Sequence, residues 1–167
     1  LPNAPELVAL IDIGHNQTTL YIAKNGEFIY SREQLFGGAQ LTEAIQNRYG
    51  LSAEEASISK RERTLPDDYY LDVLTPFIEN TIQQITRSLQ FYFSSSQYSS
   101  IDHVVLAGGS SSIAGLAGMA QQKLGVTVSI ANPFTNMTIA PSIDNEQLAI
   151  DAPSLMAACG LALRSFD

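Results

Sequence analysis

Apolar positions change their spacing several times along the chain, and the changes divide it into strands and helices. Leu7–Ile13 is an almost continuous apolar run, which predicts a strand buried on both faces. Residues 18–23 and Glu27–Gln34 form a second and a third strand around Asn25 and Gly26. This dipeptide supplies the two positive-φ residues of a tight hairpin turn. The chain therefore opens with a strand, a loop and a hairpin.

Helical spacing follows the hairpin. Gly37 and Gly38 precede a predicted helix that is closed by Gly50 in the left-handed capping position. Its apolar face consists of Leu41, Ala44, Ile45 and Tyr49. Ser52 and Glu55 form a capping-box pattern, which predicts a second short helix reaching Lys60. The polar stretch 62–72 is typical of a loop.

The second half alternates helices and strands. Thr75 as N-cap and Pro76 at the first helical position predict a long helix that ends at the serines 94–96. His103–Ala107 is a predicted buried strand, residues 113–124 a helix and residues 126–130 a strand. A final helix is predicted over 151–164. Because this helix is apolar nearly all round, we expect it to be buried.

This order of elements indicates an α/β fold. We expect a ribonuclease-H-like lobe in which helices cover a mixed β-sheet. The first part of the lobe is assigned to residues 1–40, a small inserted helical subdomain to 41–70, and the remainder of the lobe to 71–167.

Composition narrows the classes of partner. The 167 residues carry a net charge of −8 with nine Lys and Arg, which argues against nucleic acid as a partner. The densest basic cluster, residues 60–63, is interpreted as a solvated helix end. No apolar run approaches the roughly 18 residues of a membrane span. The single Cys159 is expected to be a small buried residue in a reducing compartment. Since the sequence begins with Leu1, we expect it to be a piece of a longer protein.

Two glycine loops carry the candidate chemistry. The first begins at the end of the strand Leu7–Ile13 and reaches the start of the next strand, and it includes Asp12, Gly14 and Thr18. The second follows His103–Ala107 and contains Gly108, Gly109 and Ser110. Glycine and small hydroxyl residues after a buried strand let backbone N–H groups approach a phosphate or nucleoside. Together the loops predict a nucleotide cleft. Gly37 and Gly38 are interpreted as a helix entry, and His15 has no visible partner that would make it a general base.

Longer motifs point to a family. The chain resembles the C-terminal half of PilM, the actin-like assembly protein of bacterial type IV pili, which is itself similar to the cell-division protein FtsA. The resemblance rests on residues 8–14, 30–38, 87–91, 106–109, 131–134, 151–155 and 158–166.

The resemblance implies a set of site residues for ATP or ADP with Mg²⁺. Asp12 would orient water or Mg²⁺, while Gly14 and Thr18 would face the β- and γ-phosphates. Gly108, Gly109 and Ser110 would form the adenosine loop. Lys60 matches a nucleoside-contacting lysine of relatives, whereas Ser57 stands where they have glutamate. No catalytic residue is assigned.

The resemblance also implies a cytoplasmic scaffold, peripheral to the inner membrane, that joins the PilN/PilO platform to the pilus motor ATPases. The N-terminal tail of PilN would be held mostly by the other half of the protein. We expect no direct membrane insertion and no ATP hydrolysis by this half alone. The final helix either packs on its own lobe or mediates a homodimer. The alternatives are an FtsA-like filament-forming protein and a lobe of a sugar or acetate kinase.

Overall fold

The computed structural model describes residues 7–164, which form one mixed five-stranded sheet with helices. The strands are β1 (Leu7–Ile13), β2 (Thr18–Lys24), β3 (Glu27–Gln34), β4 (His103–Ala107) and β5 (Thr127–Ile130). The helices are α1 (Gly38–Tyr49), α2 (Ala53–Glu62), α3 (Thr75–Ser95), α4 (Leu116–Leu124), α5 (Asn145–Asp151) and α6 (Met156–Ala162). The α/β class predicted from the sequence is confirmed. Residues 1–6 and 165–167, including the end of the last family motif, lie outside the described residues.

The sheet has the order β3-β2-β1-β4-β5. β1, β2 and β3 pair antiparallel, whereas β4 lies parallel to β1 and β5 parallel to β4. The predicted hairpin turn is present, with φ of +51° at Asn25 and +87° at Gly26. β1 lies between β2 and β4. Because β4 is parallel to β1, the carboxyl ends of these two strands lie at the same edge of the sheet.

The hydrophobic core lies on one face of this sheet. Alternate residues of β1 enter it, and so do residues of α1, α3 and α4: Leu7, Ala9, Ile11, Ile13, Leu41, Ile45, Ile78, Ile82, Ile85 and Leu116. The other face of β1, with Val8 and Leu10, is only partly buried. The expectation that β1 is buried on both faces was therefore wrong, because less of the chain covers the second face.

The segment before α3 differs from its prediction. Residues 62–72 were expected to form a loop, and residues 63–68 do so, but α2 continues to Glu62 and a π-helical turn begins at Tyr70. This turn, Tyr70–Leu74, leads into α3 without a break.

Thr75 is not the N-cap of α3. An N-cap residue has a non-helical backbone, but Thr75 is helical, with φ −60° and ψ −48°. Its hydroxyl donates a hydrogen bond to the Tyr70 carbonyl at 2.8 Å. Pro76 has no N–H and so cannot donate a hydrogen bond to the carbonyl one turn earlier.

The C-terminal third also differs from its prediction. The helix predicted from 113 begins at Leu116, because Gly115 has a φ of +87°. The predicted final helix consists of α5, a 3₁₀ turn at Ala152–Leu155 and α6. No residue of α5 or α6 is buried, and Cys159 is partly exposed. Of the stretch 151–164, Ala152 and Pro153 are buried as expected, whereas the expected burial of α6 and of Cys159 was wrong, because little of the described chain packs against α6.

Candidate functional site

The two glycine loops predicted from the sequence meet at the carboxyl ends of β1 and β4. The Ser110 amide donates to the Ile13 carbonyl at 3.0 Å, and the Ser110 hydroxyl donates to the Gly14 carbonyl at 3.3 Å. Neighbouring parallel strands end at the same edge of a sheet, where ligand sites of α/β proteins collect. The structure therefore brings residues 96 positions apart into one site.

The start of α1 closes the first loop. The amides of Gly38 and Ala39 donate to the carbonyls of Gly14 and His15 at 2.9 and 2.7 Å. A Cβ on Gly37 would lie 2.5 Å from both carbonyl oxygens. Gly37 thus permits a close approach of two backbone segments, in agreement with its interpretation as a helix entry. The amides of Gly38 and Ala39 are occupied by these bonds.

Asp12 provides the carboxylate of the site. Its side chain is half-buried beside Gly108, where a Cβ would collide with Asp12 Oδ1. Burial raises the pKa of the Asp12 carboxyl above its ordinary value. Among residues 7–164, no side chain or amide forms a hydrogen bond or ion pair with this carboxylate. A partly buried carboxylate that has no protein partner is suited to bind a cation that enters the site together with a ligand.

Thr18 has a different environment from the one expected. Its side chain is 3% exposed, and its hydroxyl donates to the Phe36 carbonyl at 2.6 Å. This bond holds the beginning of β2 against the residues that enter α1. In this arrangement the hydroxyl is committed within the protein rather than turned toward a ligand.

A cleft of about 550 Å³ opens beside the second loop. Three of the predicted site residues line it, namely Lys60, Gly109 and Ser110. Asp12, Gly14 and Thr18 do not line it, although Ser110 connects it to the first loop. The other lining residues are Gly38, Leu41, Arg61, Arg63, Leu65, Tyr69, Leu74, Ser112, Ile113 and Ala114.

Lys60 projects from α2 into this cleft. Its Nζ donates to Thr42 Oγ1 at 3.0 Å, which ties α2 to α1. Burial lowers the pKa of the Lys60 ammonium. No carboxylate of the described chain forms an ion pair with Lys60. An ammonium in this setting is available to an anionic or hydroxylated ligand.

Sequence reasoning missed several residues of the cleft. Arg61 and Arg63 are exposed at the end of α2, in agreement with a solvated helix end, but the sequence did not indicate that both also line the cleft with Lys60. Leu65 and Tyr69 belong to the stretch 62–72, which was expected to be a loop. The one available signal was the concentration of basic residues at 60–63 in an acidic chain. His15 and Ser57 are exposed and do not line the cleft.

A metal would have few protein ligands at this site. The part of the chain from Leu7 to Arg164 contains no group of three or more His, Cys, Asp or Glu side chains able to hold a metal ion. Mg²⁺ in nucleotide sites is held mainly by phosphates and water, with one or two carboxylates. The single carboxylate of Asp12 is suited to this kind of coordination, whereas a site built from protein ligands alone would need more carboxylates.

Solved structures share this fold. The chain is similar to the structure titled PilM-PilN type IV pilus biogenesis complex, with 29% identity and a TM-score of 0.82, over 95% of this chain and 46% of that one. It is also similar to the ethanolamine utilization protein EutJ of Carboxydothermus hydrogenoformans, with 19% identity and a TM-score of 0.68, over 95% and 49% of the two chains.

The archaeal actin homologue Ta0583 in complex with ADP matches with 17% identity and a TM-score of 0.61, over 97% of this chain and 51% of that one. The last two likenesses show the fold alone. The chain thus spans about half the length of these solved chains.

A family model assigns the chain more specifically. The model described as type IV pilus assembly protein PilM matches residues 1–166. This match covers nearly the whole sequence, and the fold agrees with the actin-like α/β architecture of the solved relatives. The chain therefore belongs to the family of the type IV pilus assembly protein PilM.

Proposed function

We propose that this chain is one lobe of an actin-like scaffold for type IV pilus assembly and forms one wall of an adenine-nucleotide cleft. The observation that carries the nucleotide assignment is the meeting of the two glycine loops, with an unpartnered Asp12 carboxylate beside them. Family membership supports the role in pilus assembly.

Each residue of the proposed site has a separate task. Gly109 and Ser110 would let the nucleoside lie against the backbone, and Lys60 would contact it from α2. Asp12 would hold Mg²⁺ through water while Gly14 shapes the loop at the phosphates. Gly108 would place Asp12, since it leaves room for the carboxylate. For Thr18 we propose support of this loop through its bond to Phe36.

We propose ATP or ADP with Mg²⁺ as the ligand and a structural role for it. The ADP complex of Ta0583 supports nucleotide as the class of ligand for this fold. A nucleotide bound between two lobes stabilises their closed arrangement when it binds that arrangement more tightly than the open one. We therefore expect no ATP turnover by this chain alone.

The proposed partners follow from the family. One solved relative is a complex of PilM with PilN, and we propose that the natural-length protein binds PilN. We further propose that it lies at the cytoplasmic face of the inner membrane and connects the PilN/PilO platform to the motor ATPases. In the described residues no helix is long and apolar enough to cross a membrane. A titration with the N-terminal peptide of PilN would test this partner, and absence of binding with and without nucleotide would contradict it.

The nucleotide assignment is tested by calorimetric titration of the natural-length protein with MgATP. Asp12→Ala removes the carboxylate, and Gly109→Asp places a negative charge at a position where a Cβ meets nothing within 4 Å. We expect each to weaken binding at least about tenfold, the effect of losing one charged contact.

The control is Gly118→Asp on α4, another glycine with open space around it and outside the cleft. It should bind MgATP like the unchanged protein. Thermal unfolding of each variant verifies the fold. Unchanged affinity in both site variants would remove the nucleotide assignment.

A further inference from the structure

The wall of the cleft formed by α2 is strongly basic. Three of the nine Lys and Arg residues of the chain, Lys60, Arg61 and Arg63, line this cleft, and none of the Asp and Glu residues between Leu7 and Arg164 does. The chain as a whole carries a net charge of −8. A local concentration of cations in a concave, partly apolar site raises the local concentration of anions.

These cations are separate from the loop proposed for the phosphates of ATP. They share the cleft with Gly109 and Ser110, the residues proposed to meet the nucleoside. Asp12 and Gly14 lie outside the cleft lining. The basic wall therefore faces the nucleoside part of a bound nucleotide.

Arg63 has a backbone conformation that does not favour arginine. It caps the end of α2 with φ +57° and ψ +40°, a left-handed conformation in which glycine or asparagine is more favourable. Within the described residues, Asn25 is the one other non-glycine residue with positive φ. A side chain held in a sparsely populated conformation at a cleft points to a functional use of that side chain.

The dipole of α2 accounts for only part of this arrangement. Lys60 and Arg61 lie in its last turn, where positive charge is favourable. Arg63 follows the helix, and its conformation costs free energy rather than gaining it. If the three cations had only a structural role, their removal would lower the stability of the protein and would not change which ligand it prefers.

We propose that the cleft accepts an adenine nucleotide carrying an additional phosphate on a ribose hydroxyl, 2′ or 3′, and that Lys60, Arg61 and Arg63 bind this phosphate. This inference rests on the proposed nucleotide-binding function and specifies its ligand. Guanidinium groups bind phosphate through paired N–H donors, which makes arginine suited to such a group. Leu41, Leu65 and Tyr69 provide the apolar part of the same cleft.

The test compares three ligands on the natural-length protein by calorimetry: AMP, adenosine 2′,5′-bisphosphate and adenosine 3′,5′-bisphosphate. The three differ only in the ribose phosphate. We expect at least one bisphosphate to bind about tenfold or more tightly than AMP, the effect of a charged hydrogen-bonded contact. The bisphosphate that gains affinity identifies the substituted hydroxyl. The preference should decrease as salt increases.

Variants assign the preference to the basic wall. Arg61→Gln combined with Arg63→Asn removes two cations, and asparagine tolerates the left-handed backbone at 63. This variant should remain folded and lose the preference for the bisphosphate while its affinity for AMP changes little. Arg87→Gln combined with Lys123→Gln removes two exposed cations outside the cleft and should keep the preference.

The possible contrary results distinguish failure of this inference from failure of the proposed nucleotide-binding function. If MgATP binds and neither bisphosphate is preferred over AMP, the inference is wrong and the proposed nucleotide function stands. If the preference survives loss of Arg61 and Arg63, the inference is also wrong. If neither MgATP nor any of the three ligands binds, both the proposed function and this inference are wrong.

Discussion

Gly108 lies against Asp12 so closely that a β-carbon at position 108 would collide with the Asp12 carboxylate. The backbone of Gly108 has a φ of +86°, and its amide donates to the Pro153 carbonyl at 2.8 Å. The same β-carbon would lie 2.5 Å from the Ile13 carbonyl oxygen. Glycine at position 108 of the second loop thus leaves the space that the Asp12 carboxylate of the first loop occupies.

Replacing Gly108 by alanine should destabilise the protein. We expect Gly108→Ala to lower the free energy of unfolding by about 2–4 kcal/mol, from the positive φ and the overpacking together. Chemical denaturation measures this change.

The control is Gly109→Ala, where an added Cβ meets nothing within 4 Å. It should change the free energy of unfolding by no more than about 0.5 kcal/mol. Equal effects at 108 and 109 would contradict the close approach to Asp12.

Replacing Asp12 by asparagine should stabilise the protein without ligand at neutral pH. Because burial raises the Asp12 pKa, the folded state binds this proton more tightly than the unfolded state does. The free energy of unfolding therefore falls as pH rises from the ordinary value of 3.8 through the raised value, and stays lower above it. The asparagine side chain does not ionise, so the variant escapes this loss.

Urea unfolding of both proteins between pH 3 and pH 7 measures the difference. Asp12→Asn should be the more stable protein at pH 7, and the difference should decrease as pH falls through the raised pKa of Asp12 toward 3.8 and stay constant below it. With MgATP present, the unchanged protein should gain more stability than the variant does. A less stable variant at pH 7 would mean that the carboxylate makes a structural contact.

Substitutions at Thr18 distinguish two roles of its hydroxyl, namely support of the first loop and contact with a phosphate. Thr18→Val keeps the shape of the side chain and leaves the buried Phe36 carbonyl without its donor. We expect a loss of about 1–3 kcal/mol in the free energy of unfolding. Thr18→Ser keeps the hydroxyl and should lose less.

The affinity of Thr18→Val for MgATP is then measured at a temperature where the variant is folded. We expect it to stay within about twofold of the unchanged protein, well under the tenfold effect of a lost charged contact. A tenfold loss would assign the hydroxyl to the phosphates.

Gly37 tests the contact between the first loop and α1. Its φ of −175° suits any residue, but an added Cβ would meet the backbone carbonyls of Gly14 and His15. Gly37→Ala should therefore cost about 1–3 kcal/mol. Gly118→Ala, inside α4 with open space around it, should instead stabilise the protein by about 0.5–1 kcal/mol. Thermal and chemical unfolding of the pair would show this opposite sign, and stabilisation by both would contradict the close approach.

Local signals in the sequence were sufficient for several elements. The bounds of β1, β3 and β4 are as predicted, since apolar runs and the Asn-Gly turn act over a few residues. Ser52 and Glu55 form the predicted capping box, in which the Glu55 amide donates to the Ser52 hydroxyl at 3.2 Å. Gly50 closes α1 in a left-handed conformation, as expected.

Predictions failed where the local pattern did not include the structure around it. Thr75 and Pro76 carry the local pattern of a helix start, but the preceding residues already form a π turn. The apolar composition of residues 151–164 indicated burial, but the exposed fractions of Leu161 and Leu163 are 61% and 70%. The composition of a helix shows which apolar side chains it could bury. Whether they are buried depends on which other segments pack against the helix.

The sequence by itself determined the α/β class, the family motifs and the two glycine loops, because each is a pattern within a short segment. Only the tertiary structure decided which residues share the cleft. It committed the Thr18 hydroxyl to Phe36 and placed Arg61 and Arg63 on the same cleft as Gly109. The physical reason is that these relationships join segments tens of residues apart, and the packing of α1 and α2 sets them.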